Sequence, residues 1–150
     1  IYAREQYFIR ENPRRSVKLQ ALRIGDLSIA AMSAEVYGIT GLKLKLQSPL
    51  LTHMNFSLAN GEDGYIPPPE QHELGGYTTW EARTAGLEVE AEPKIVAELL
   101  DMLEEVSGKN RRELVTPRGP YVGAVIEAAP RAYWRLDEIE GERASAGTGK

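Results

Sequence analysis

Apolar residues change their spacing several times along the chain, and each change marks an element. From Val17 to Ile24 and from Leu27 to Met32 they partly alternate with polar ones, and Gly25-Asp26 between the runs predicts an antiparallel hairpin. The second run, Leu-Ser-Ile-Ala-Ala-Met, is apolar enough for a central strand. After Ser33-Ala34 the period lengthens to about 3.6, with Ile39, Leu42 and Leu46 on one face and Ser48-Pro49 as the stop, which predicts a helix. Met54 to Ala59 alternates again as a strand and runs into the turn-rich Asn60-Gly-Glu-Asp-Gly64, then Tyr65-Ile66 and three prolines. A Pro- and Gly-punctuated loop carries Glu70 to Tyr77. The strongest helical pattern spans Pro93 to Val106, with Ile95, Val96, Leu99, Leu100, Met102, Leu103 and Val106 inward and Gly108 as its end. Glu88, Glu90 and Glu92 suit the positive end of that helix. At the start, Tyr2, Tyr7, Phe8 and Ile9 fall at loose helical spacing until Asn12-Pro13. The order of hairpin, helix and strand predicts a mixed α/β (α+β) domain, a layered sheet with flanking helices.

Beyond Lys109 the composition shifts. Asn110-Arg-Arg, Thr116-Pro and Gly119-Pro120 predict a linker over 110–119, Tyr121 to Ala129 a short helix, and Ala132 to Glu138 the start of a strand, with small and polar residues from Ile139 onward. The 150 residues, 42% of them hydrophobic, suffice for a packed core. A net charge of −4 argues against nucleic acid or an anionic membrane as a partner held by bulk charge. No stretch approaches the ~20 apolar residues of a transmembrane segment. The absence of cysteine excludes disulfides, thiolate metal sites and cysteine nucleophiles. The chain opens at Ile1 within a helical pattern, not a leader, and is expected to be a piece of a longer protein, with any signal peptide upstream.

Three residues stand out chemically. On a helix of ~100° per residue, positions 35, 39, 42 and 46 share a sector of about 60°, so Glu35 is expected on the apolar stripe. A carboxylate there must be paired, protonated or bound to a cation, and the plainer alternative is a cap at the helix N-terminus. Tyr65 and Tyr77 flank a loop that also carries Glu70, His72 and Glu73; each reads either as part of a site or as a packing anchor with a bonded hydroxyl. His53 and His72 are the only histidines and form no two-histidine metal motif. Asn60 to Gly64 lacks the spaced carboxylates of a calcium loop. No Walker loop, dinucleotide fingerprint or nucleophile elbow is present.

Taken in order, Leu22-Arg-Ile-Gly-Asp-Leu-Ser-Ile-Ala-Ala, Ser33-Ala-Glu-Val-Tyr-Gly, Ala59-Asn-Gly-Glu-Asp-Gly-Tyr-Ile-Pro and Gly75-Gly-Tyr77 resemble the C-terminal portion of the neutral ceramidase-like catalytic domain, over residues 17–106. The resemblance implies a zinc-dependent amide hydrolase. It places a zinc-binding glutamate at Glu35 and a further zinc ligand at Tyr65, the tyrosine closing the segment that starts at Asn60. It gives Tyr77 the contact to the reacting amide. The two zinc-binding histidines of the family precede this portion, so neither role falls to His53 or His72, and the fragment is expected to be inactive alone. Ser33-Ala34 stands where the family has Pro-Gly, and the residues after Tyr77 follow its pattern loosely, so a ceramide or other sphingolipid substrate is less strongly implied than a small-molecule or lipid amide. Residues 1–109 are then the hydrolase portion. Tyr121 to Glu138 resembles the opening of a laminin-G or concanavalin-like β-sandwich, which makes 120–150 its incomplete start. The combination implies an enzyme that is secreted, periplasmic or at the cell surface, with glycan or surface contact through the downstream domain. The alternative is a non-catalytic module of an exported protein that recognises glycans or lipids.

Overall fold

The hairpin forms as its alternation predicts. In a computed structural model, which describes residues 2–114, 120–131 and 133, β1 (Leu19–Ile24) runs antiparallel to β2 (Leu27–Met32), with Ile24 opposite Leu27 and Gly25 turning at φ +61°. β2 is central. Its other edge pairs in parallel with β4 (Thr52–Phe56), which is reached through helix α2 (Gly38–Gln47). The chain is thus mixed α/β. β4 begins and ends earlier than the expected Met54 to Ala59, because Leu58 and Asn60 take positive φ and the Leu58 and Ala59 amides turn back to bond the carbonyls of Ala34 and Met32. Two-residue strands β3 (Glu35–Val36) and β5 (Tyr65–Ile66) form a second, parallel pair.

Directly paired residues share a face of the sheet. Leu19, Ala21, Ala30 and Met32 lie on the face covered by helix α4 (Ala91–Ser107), and with Ala34, Leu44, Ile66, Ile95, Val96, Leu99, Leu100 and Leu103 they build the core. On the opposite face Leu22, Ile24, Met54 and Phe56 are exposed beside the half-buried Leu27 and Ile29, so an apolar sheet face stands open to solvent.

α4 is the predicted helix, lengthened by two residues at its start and one at its end. Its inward stripe runs Ile95, Val96, Leu99, Leu100 and Leu103, while Met102 is half-buried and Val106 exposed at the stripe's flank. Gly108 closes it in the left-handed region, its amide bonding the Glu104 carbonyl at 2.8 Å. Glu92 does more than complement the helix end. It is 1% exposed, and Lys43 Nζ of α2 lies 3.1 and 3.0 Å from its two oxygens.

α2 departs from the expected phase. Its buried residues are Thr40 and Leu44, whereas Ile39, Leu42 and Leu46 are exposed, Leu42 by 54%. The helix starts only at Gly38 with Tyr37 as its N-cap, which leaves Glu35 outside it in an extended, exposed strand residue. Neither the buried stripe nor the cap expected for Glu35 is found, since the Glu35 amide is taken by the Gly64 carbonyl and its backbone by pairing with β5. The expected loop from Glu70 to Tyr77 contains a short helix α3 (Pro69–Leu74), begun by Pro69 at its first turn and ended by Gly75, followed by a 3₁₀ turn, Tyr77–Thr79.

Helix α1 (Tyr2–Glu11) buries none of its residues. It is held to the segment after the 3₁₀ turn by side chains: Glu5 bonds the Arg83 guanidinium at 2.8 Å, and Tyr2 meets Trp80 edge-on with ring centroids 5.4 Å apart. Those bonds from Arg83 hold the Glu5 carboxyl at about 2.

The chain divides into two units, Ile1–Leu114 and Val115–Lys150. Residues 110–114, which composition places in the linker, are bonded within the first unit: Arg112 donates to the carbonyls of Ser48 and Lys45 at the end of α2, and Arg111 to Glu104. In the second unit the predicted short helix is α5 (Pro120–Glu127). The strand expected from Ala132, and with it the resemblance to a laminin-G-like sandwich, lies almost wholly outside the described residues. No helix among the described residues is long and apolar enough to cross a membrane.

Removing Lys43 leaves the Glu92 carboxylate buried without its cation. Lys43→Met is expected to cost about 3 kcal/mol in urea denaturation, and Lys43→Met combined with Glu92→Leu to recover most of the loss. Equal stability of Lys43→Met and the unaltered chain would show that the pair does not join α2 to α4.

Candidate functional site

The site is built where the chain after β4 folds back over the chain after β2. The Asp63 amide bonds the Ser33 carbonyl at 2.6 Å and the Glu35 amide bonds the Gly64 carbonyl at 2.8 Å, beside the Leu58 and Ala59 bonds already described. Fully buried Ser33 fastens the same place with its side chain, donating to the Asp63 carboxylate and accepting the Lys18 amide at 2.9 Å. Ser33 thereby gives the loop a polar anchor. Gly64, at φ +82°, lies so close to the backbone of Thr84 that a Cβ would run into it, and the next amide, of Tyr65, bonds the Thr84 carbonyl at 2.7 Å.

These bonds bring Glu35 directly opposite Tyr65 in the β3–β5 pair. Tyr77, on the 3₁₀ turn, meets Tyr65 edge-to-face, with ring centroids 5.4 Å apart and planes at 87°. The three residues singled out from the sequence therefore converge. With Val36, Tyr37 and Thr78 they line a cavity of about 310 Å³. A larger cavity, of about 480 Å³, lies between α1 and residues 82–84 and contains none of the three. Glu35 is exposed and faces this opening beside Tyr65; it does not face the protein interior, and Tyr77 is 65% exposed.

The Tyr65 phenol is pushed above the ordinary tyrosine value of 10.0, first by the Tyr77 hydroxyl beside it and then by the negative charge of Glu35. Phenolate at Tyr65 would lie beside a carboxylate, so the hydroxyl keeps its proton at neutral pH. The site thus presents one carboxylate, one protonated phenol and a second phenol, all oxygen donors. His72, Glu70 and Glu73 sit on α3 and do not line the cavity, and His53 is bonded to Asn55, which bonds the Gly41 carbonyl of α2. Among the described residues no three of His, Cys, Asp or Glu are grouped to hold a metal.

Three wall residues, Val36, Tyr37 and Thr78, escaped the sequence reading. Tyr37 Oη lies 2.7 Å from Thr78 Oγ1, which ties the start of α2 to the turn that carries Tyr77, and Thr78 is buried. Extended backbone at 35–37 puts alternate residues on one side, so recognising a strand there would have placed Tyr37 beside Glu35.

Tyr77→Phe should bring the Tyr65 titration down toward its ordinary value, read by carbon NMR of the tyrosine rings, and an unmoved Tyr65 would show that the Tyr77 hydroxyl does not act on it. Gly64→Ala is expected to destabilise by about 2 kcal/mol or more, against about 1 kcal/mol for Gly25→Ala, where positive φ is the only penalty and the space is open. Equal losses at the two glycines would mean that the backbone approach at Thr84 is slack. No family model, curated protein or solved structure matches the chain, so a functional reading rests on these side chains and on the order of the motifs that carry them.

Proposed function

We propose that the chain is a fragment of a zinc-dependent amide hydrolase resembling neutral ceramidase, with Glu35 and Tyr65 as zinc ligands and Tyr77 acting on the substrate. The observation that carries this reading is the in-register pairing of Glu35 with Tyr65 and the contact of Tyr65 with Tyr77, which joins three residues that the motif order names and the chain separates. The donor set fits in part. A carboxylate and a phenol oxygen suit zinc, but a stable site takes three or four protein ligands, so two imidazoles from polypeptide upstream complete it in this proposal. The substrate is a small-molecule or lipid amide, the enzyme is exported, and the downstream domain contacts glycans or a surface.

When bound, zinc polarises an amide carbonyl and makes water a better nucleophile near neutral pH. Glu35 supplies the negative charge that holds the cation. Tyr65 would hold the cation through its phenol oxygen, at the cost of its proton. Tyr77 donates a hydrogen bond to the substrate oxygen as negative charge develops there. The edge-to-face contact with Tyr65 and the Thr78 bond to Tyr37 hold the Tyr77 ring over the opening.

Zinc titration of the isolated chain tests the reading. Binding is expected to be weak, to tighten when free imidazole is added to stand for the missing ligands, and to strengthen as pH rises because Tyr65 must lose its proton. Glu35→Gln and Tyr65→Phe should abolish the imidazole-dependent binding, while Tyr77→Phe should leave it in place. In an active longer polypeptide Tyr77→Phe should lower turnover by about 10² to 10³ with zinc retained. Zinc binding that ignores Glu35 and Tyr65 would refute the assignment.

A further inference from the structure

Under α2 lies a buried polar chain in which one member can titrate. Asn55 donates its amide to the Gly41 carbonyl of α2 at 3.0 Å, which turns its side-chain oxygen toward His53 Nε2, 2.8 Å away. That oxygen can only accept, so the neutral His53 ring carries its proton on Nε2 and leaves Nδ1 bare. Nδ1 then accepts from Ser28 Oγ at 2.8 Å, and Ser28 in turn accepts from Ser48 Oγ at 2.9 Å. Ser48 is the C-cap of α2. The chain of bonds therefore begins and ends on α2 and passes through β2 and β4. Gly41 is open enough for it: a Cβ there would stand 3.4 Å from the Asn55 amide nitrogen.

Little else ties α2 to the sheet. Its buried residues are Thr40 and Leu44, and its apolar Ile39, Leu42 and Leu46 face away. We propose that His53 is a pH-sensitive latch holding α2 on the sheet and, through α2, the Tyr37 wall of the candidate site. The latch does not depend on the zinc reading.

Protonation of His53 puts a hydrogen on Nδ1, and Ser28 can no longer donate to it. The Ser28 hydroxyl must then turn to the Thr52 carbonyl at 3.2 Å, or to Ser48 Oγ by reversing the bond between the two serines, so the chain must be rewired around a buried cation. The charged groups acting on the ring are Lys45 of α2 and Arg112 of the segment bonded to the end of α2, both positive; β2 and β4 present the uncharged Ser28, Thr52 and Asn55. Burial first, and these two cations, hold the ring below its ordinary 6.5, against a smaller upward pull from Asn55. The folded chain therefore binds fewer protons at His53 than the unfolded chain in a window that opens at 6.5 and extends downward. Stability from the latch is complete above that window and is lost as pH falls through it.

Nitrogen-detected NMR of the full chain, folded and in urea, reads the ring directly. The expected result is an Nε2–H tautomer and a folded titration below that of the urea-unfolded chain. Hydrogen exchange between pH 7 and 5, corrected for intrinsic rates, should show α2 losing protection while α4 keeps it. That range lies above the titration of most carboxylates. His53→Gln keeps a donor for Asn55 and cannot titrate here; it should be less stable than the unaltered chain at pH 7 and should lose the stability slope between pH 7 and 5. A folded His53 that titrates at or above its unfolded value, an Nδ1–H tautomer, or unchanged α2 protection at pH 5 would each overturn the proposal. So would an unaltered slope in His53→Gln, and if that variant does not fold, the ring titration and the exchange decide.

Discussion

Four backbone hydrogen bonds between residues 32–35 and 58–64 are the constraint on which the site depends. They fasten the chain after β4 to the chain after β2, and only then can β3 and β5 pair so that Glu35 faces Tyr65. Each bond asks something of the sequence. Leu58 and Asn60 adopt positive φ to turn the loop back, Gly64 admits the Thr84 backbone, and Ser33 spends its hydroxyl on Asp63 and the Lys18 amide. A buried serine would be costly unpaired, and here both its donor and its acceptor capacity are used. The geometry of the opening is thus set by backbone, with the reactive side chains projecting from it.

Helix α2 illustrates a different way of joining elements. α4 sits on the sheet by apolar burial, whereas α2 is joined mainly by polar contacts: Lys43 to Glu92, Asn55 to Gly41, Ser48 to Ser28, and Arg112 to the carbonyls of Lys45 and Ser48. Polar joints are weak while intact but costly when one partner is removed or charged. This makes α2 more responsive than α4 to single substitutions and to pH. The apolar residues that α2 does not bury, like those of the open sheet face, lie on surfaces of the kind that proteins ordinarily cover. Parallel strand pairs such as β2–β4 are seldom left with one face in water.

The elements legible in the sequence were those whose own periodicity decides them. The hairpin, with Gly25 at its turn, and α4, with its long apolar stripe and Gly108 stop, depend on local signals that agree with their packing. α2 was legible as a helix but not in its phase, because Ile39, Leu42 and Leu46 form the more apolar face while polar bonds select the face of Thr40 and Leu44. The same error carried Glu35 onto the helix: two-residue strands have no period to detect, and β3 exists only because β5 comes to meet it. β4 shifted because the backbone turns back at Leu58, and α3 formed where a loop was expected because Pro69 starts a helix there. Of the site, the grouping of Glu35, Tyr65 and Tyr77 was suggested by motif order, not by spacing, and Tyr37 could be read only from a strand too short to show a period; elsewhere, the pairing of Glu92 and the His53 chain had no linear signal because their partners lie on other elements.

The electrostatics of the opening bear on what can occupy it. Glu35 is an exposed carboxylate without a cationic partner among the described salt bridges, and its charge is one of the causes that keep the Tyr65 phenol protonated. Two oxygens that oppose each other's negative charge are stable together only while one holds a proton. A divalent cation held by both would reverse the sign of that argument, since each negative oxygen would stabilise the cation that the other also binds, and Tyr65 would be the group to lose its proton. A neutral ligand brings no such reversal and would leave Tyr65 protonated. The elevated phenol value is therefore no obstacle to the zinc reading. Under that reading, occupation by a cation would release a proton and tie the strength of binding to pH through Tyr65, while the proposed latch under α2 ties the shape of the opening to pH through His53.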